Sequence, residues 1–164
     1  MASIVFRLTR NDISPALSRM ARAAKNPEKV FRAMGTTFMS LTMGNFKSAE
    51  YRPSEWPAKR DGTPSKLQLN GVLSRSFHLE ASNKSATVKA SPIYAAIHQF
   101  GGVIKGKPWL RFKWGPEKGD WATVAQVTIP ARPFFPVDAS GERMTAKAEE
   151  KVAAAGMRAI EREV

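Results

Sequence analysis

Three prolines within seven residues limit what this chain can do near its C-terminal end: Pro130, Pro133 and Pro136 in Ile129-Pro-Ala-Arg-Pro-Phe-Phe-Pro136. Each fixes its own φ and offers no N–H. The segment is therefore excluded from a central strand and must run along an edge or leave the sheet. It ends on two bulky rings, Phe134 and Phe135, which need a place out of water. Two readings stand side by side. The block anchors the core, with Arg132 satisfying backbone carbonyls, or it inserts into another chain. A second block, Tyr94-Ala-Ala-Ile-His-Gln-Phe-Gly-Gly102, reads as a short helix begun at Ser91-Pro92 and stopped by Gly101-Gly102.

The rest of the chain supplies partners for these blocks. Ile4–Leu8 has the β-branched and aromatic content of a strand. Ser14-Pro15 and Asn26-Pro27-Glu28 are helix starts, and Phe31, Met34, Phe38 and Leu41 then recur at helical spacing. Met39, Met43 and Phe46 widen that stripe, which predicts a helix buried on two sides or touching a neighbouring subunit. Leu69–Ser74 reads as a turn or short helix. Residues 76–81 and 85–90 form a predicted hairpin, and Trp109–Trp114 with Trp121–Ile129 form another across Gly115–Asp120. Residues 141–164 read as a helix with a weak stripe (Met144, Ala148, Val152, Ala155) that Gly156 interrupts. The expected class is α+β with a mainly antiparallel sheet, a long N-terminal helix and a short helix. Residues 1–140 form one domain with a long loop at 50–68, and the C-terminal helix of 141–164 lies peripherally or on a partner.

Charge is the outlying property. The 164 residues hold 26 Lys+Arg against 14 Asp+Glu, a net +12. Residues 1–112 carry 18 basic and 6 acidic residues, and residues 113–164 carry 8 of each, so the excess lies wholly in the first part. Such a field favours a polyanion or an acidic protein face. The 50–68 loop concentrates it, with Arg52, Lys59, Arg60 and Lys66 around Trp56. Cations supply counterion release and the ring supplies stacking, so these five residues are candidates to face DNA or a partner. A solvated, mobile loop is the plainer alternative. No base-reading module is evident.

Enzyme chemistry finds little to use. There are no cysteines and only two histidines. His98 has no nucleophile in a recognisable elbow, and His78 lies alone on a strand. No catalytic, cofactor-binding or metal site is expected, and His98 is read as a structural residue bonded to nearby backbone. Gly101-Gly102 lacks the Lys-Ser/Thr end of a phosphate loop. No apolar run approaches the ~20 residues that span a bilayer, so no membrane contact is expected. The start of the chain lacks the features of a secretory signal.

The two blocks together, His98-Gln-Phe-Gly-Gly102 and Pro130-Ala-Arg-Pro-Phe134, with Leu69-Asn-Gly-Val-Leu73 as a third element, resemble the signature of the phage virion morphogenesis (tail completion) family of Mu-like tailed phages. The resemblance covers most of the chain, and carries over least to residues 103–128. It implies a non-enzymatic virion part at the head–tail junction, made in the host cytoplasm. It further implies a closed homo-oligomeric ring, a hexamer or dodecamer, meeting other neck, connector or tail-tube proteins and touching genomic DNA without sequence preference. His98, Gln99, Phe100, Gly101, Gly102, Arg132, Pro133, Phe134 and Phe135 are then its structural or interface motif. A basic nucleic-acid-binding protein acting free in the cell is the alternative from another class.

Overall fold

A helix begins where Pro27 sits at its first turn, a position that loses no hydrogen bond to the missing N–H. In the computed structural model this helix, α1, spans Pro27–Gly44. The structure describes residues 20–22, 25–59, 62–68, 70–113 and 121–162. The expected strand at Ile4–Leu8, the helix start at Ser14-Pro15, Arg60, Leu69, Trp114 and the 115–120 connection lie outside the described residues. After α1 come a 3-10 turn (Leu73–Arg75), β1 (Phe77–Ala81), β2 (Ala86–Ala90) and α2 (Ala95–Phe100). Then follow β3 (Gly102–Lys113), β4 (Trp121–Ile129) and α3 (Ala146–Glu161). The class is α+β and all pairing among the described strands is antiparallel. The described strands do not join into one sheet: β1 pairs with β2 and β3 with β4, as two separate ribbons.

α1 is buried on two sides. On one, Gly35 meets the β1–β2 ribbon; a side chain there would collide with Leu79 and Ala86. On the other, α3 lies against α1, and Gly156 admits Met34 Cγ and Sδ to 3.1 Å of where its Cβ would stand. Gly156 therefore sits inside α3 as a point of close approach. Ala148, Val152 and Ala155 are buried beside it, so the weak stripe is a packed face of small residues. Thr42, fully buried in α1, donates its hydroxyl to Phe38 O at 2.9 Å, which removes the cost of hiding it.

The core is aromatic. Phe46, Trp56, Leu73, Phe77, Ala95 and Phe134 form its buried cluster, with Met39, Leu67, Val88, Ala90 and Phe135 packed around them. Phe134 has no exposed surface. Its ring stands 5.6 Å from Phe46, 5.7 Å from Phe77 and 5.0 Å from Phe135, and Phe135 stacks on Phe38 at 5.9 Å. The β3–β4 ribbon is built differently. Among the described residues no helix or other strand packs extensively along it, and the residues it exposes include Val103, Ile104, Trp109 and Trp121. Its register slips between Lys105 and Leu110, where residues 106–109 oppose the single residue Ala125. Pro108 falls in this bulge, where no ladder N–H is needed. No helix among the described residues is long and apolar enough to cross a membrane.

Candidate functional site

The two blocks singled out in the sequence lock onto each other. Helix α2 ends at Gly101, whose φ of 70° suits glycine and whose N–H donates to Ile97 O at 2.9 Å. A Cβ at Gly101 would stand 2.8 Å from Ala131 N, so the missing side chain also lets the proline-rich segment pass at close range. Gln99, 5% exposed, then accepts both amides of the following rings: Phe134 N and Phe135 N donate to Gln99 Oε1 at 2.9 Å each. Asn45 Nδ2 donates to Phe134 O at 2.9 Å, Trp56 Nε1 donates to Pro133 O at 2.7 Å, and Arg132 N donates to His98 O at 2.7 Å. A segment that cannot join a sheet still has backbone groups to satisfy. Side chains of three distant parts of the chain satisfy them here. Phe134 takes the core-anchor role, and Arg132 donates to Pro57 O at 3.0 Å and Ala58 O at 3.1 Å. Phe100, by contrast, is exposed, and Gly102 opens β3.

This geometry corrects the expectation of an unpacked 50–68 loop with Trp56 turned toward DNA or a partner. Trp56 is a core residue, edge-on to Phe46 at 5.8 Å. An indole this large gains more from burial than from a loop surface, and its N–H finds the carbonyl of a proline-rich segment. Arg52 is drawn in with it. Its guanidinium lies 3.7 Å over the Trp56 ring and its Nε donates to Asn45 O at 2.7 Å. Residues 56–58 are thus held against the 132–134 segment, and the loop's exposed cations among the described residues fall after them, at Lys59 and Lys66.

Lys59 and Lys66 share a groove with the first block. An open cavity of about 1460 Å³ is lined by these two lysines together with Arg132, His98, Tyr94 and Leu67, and no acid is among its described lining residues. Tyr94 stands edge-on to His98 at 5.9 Å. The expected side-chain bond from His98 to nearby backbone is not found at Nδ1, which is buried without a hydrogen-bond partner; the backbone carbonyl makes the contact instead. Burial holds the His98 imidazole below its ordinary pKa, and the positive Arg132 acts in the same direction. The unfolded chain therefore takes up this proton first as pH falls. The neutral imidazole's contribution to stability is complete above the ordinary histidine value of ~6.5 and is lost as pH falls through it toward the lower folded value. Proton titration by NMR should place the His98 midpoint below that of a free histidine peptide, and His98→Gln should flatten stability against pH in this window. A midpoint at or above the peptide value contradicts the assignment.

Among the described residues, no three His, Asp or Glu side chains stand close enough to hold a metal ion. The residues that sequence reasoning missed are Asn45 and Gln99 as paired backbone clamps; Gln99 was picked out as part of its block, and Asn45 was not. An Asn just after the last helical turn was the one available signal for it.

The chain matches the phage virion morphogenesis family over residues 8–152. It is also similar to the Mu-like prophage FluMu G protein 2 of Haemophilus influenzae, at 35% identity over 126 residues, covering 76% of each chain. No solved structure matches it. The interlocked blocks lie within the matched span, and the chain belongs to the phage virion morphogenesis family of Mu-like phages.

Proposed function

We propose that this protein is a non-enzymatic structural component of a tailed phage that completes the tail or joins it to the head as a closed ring of identical copies. The observation that carries this reading is a run of exposed apolar side chains around α2 and the root of β3. Ile93, 99% exposed, is followed by Tyr94, Phe100, Val103 and Ile104, five water-facing hydrophobic residues within twelve. Exposed apolar groups gathered in this way mark a protein interface. A ring requires a surface that meets a different surface on the next copy, and this apolar run is a surface of that kind. The cationic groove suits an acidic segment of a neighbouring neck or tail protein.

The test is a phage carrying an amber codon in this gene. Under non-permissive conditions, electron microscopy should find heads and tails that have not joined, and purified wild-type particles should contain the protein at the junction. Normal joined particles without it overturn the reading. The alternative, a nucleic-acid-binding protein acting free of the particle, draws on the basic charge. Recovery of the protein from infected cells but not from purified particles selects it.

A further inference from the structure

We propose that the β3–β4 ribbon is a duplex-DNA-contacting arm, and that it, rather than the 50–68 loop, presents this protein's working positive charge. Four exposed cations lie on β3: Lys105, Lys107, Arg111 and Lys113. The described residues of the two strands include no acid, and the connection between them adds Glu117, Lys118 and Asp120. Two tryptophans stand out among these cations, Trp109 at 63% and Trp121 at 55% exposed. Arg111 lies 5.0 Å over the Trp121 ring. Monomeric proteins rarely leave two indoles in water on a strand pair that no other described element packs along, and a lone two-stranded ribbon is marginally stable without a partner.

Charge and shape select the partner. A row of cations with no acid in the strands repels the basic remainder of a second copy and attracts a polyanion. β4 has nine residues, so the ribbon is about 27 Å long. A two-stranded ribbon is of a size that the DNA major groove admits. It lacks the enclosed channel that would track a single strand. The loop has less to offer: Trp56 is buried and Arg52 is committed to its ring and to Asn45 O. Contact through phosphates alone carries no sequence preference and weakens with salt, which suits DNA that must pass rather than stay.

The test measures fluorescence anisotropy of a short mixed-sequence duplex with the full-length protein between about 50 and 200 mM salt, where each phosphate contact accounts for roughly a 3.5-fold change in affinity. The variant Lys105→Gln/Lys107→Gln/Arg111→Gln should shrink the affinity ratio across that range by roughly 40-fold, while Lys59→Gln/Lys66→Gln changes it by less than about threefold. DNA should quench tryptophan emission in the wild type, and Trp109→Phe/Trp121→Phe should abolish most of that quenching with circular dichroism unchanged. Four results overturn the inference: no salt-dependent binding by wild type, equal loss from the groove pair, tighter binding of single-stranded than duplex DNA, or ribbon variants that alter sedimentation and leave DNA binding intact. The last result gives the ribbon to a second copy. The inference stands apart from the ring reading: absence from particles sinks the ring and leaves this binding to be measured, and a ring without DNA affinity does the reverse.

Discussion

Phe134→Ala should remove about 3–5 kcal/mol of stability, the usual cost of truncating a fully buried aromatic ring. That is a large share of the 5–15 kcal/mol that typical domains possess. The ring touches Phe46, Phe77 and Phe135 and has no exposed surface, so neighbours anchored on three separate segments would have to collapse into the cavity. Urea denaturation with a near-UV circular dichroism readout should show the midpoint falling sharply, or the protein accumulating in inclusion bodies. Phe100→Ala is the matched control, because Phe100 is exposed and belongs to the other block. If the two changes cost the same, Phe134 is not the anchor.

Gln99→Leu should be nearly as damaging for a different reason. The substitution keeps the volume and removes the one oxygen that accepts from both Phe134 N and Phe135 N. Two amides then lose their acceptor at once, each costing about 1–3 kcal/mol when left unsatisfied. Gln99→Glu keeps an acceptor oxygen at the price of a buried charge and should rescue only in part. Hydrogen exchange reports the mechanism directly: the amides of residues 134 and 135 should exchange much faster in Gln99→Leu than in wild type. Unchanged protection there would mean that the carboxamide is a bystander.

The fold was legible where local chemistry decides it. Pro27 set the start of α1, Gly101 set the end of α2, and alternation placed β1 and β2 to within a residue. The start of β3 was not legible. Gly106 and Pro108 look like breakers, yet the strand carries both in a bulge and begins at Gly102. A bulge is a property of two strands together, and one strand's sequence does not announce it. The separation of the strands into two ribbons was hidden for a similar reason, since strand propensity says nothing about which strands meet. Trp56 was misjudged because its surroundings are basic and proline-rich, while its partners, Phe46 and Pro133, lie 10 and 77 residues away. The candidate site fared better. The glycine stop of the first block and the off-sheet path of the second were legible, but their direct contact depends on Gln99 reaching across 35 residues to Phe134.

Those same separations have a consequence for how the protein is made. The bond between Asn45 and Phe134 spans 89 residues, and the Trp56–Pro133 bond spans 77. On a ribosome adding ~5–20 residues per second, roughly 5–20 s pass between the emergence of the first partner and the second. Through that interval Phe46, Trp56 and Phe77 have no Phe134 to close over them. The nascent chain is therefore sticky until late in synthesis, and a truncation before residue 134 yields a fragment with its aromatic cluster open to chaperones and to other nascent copies.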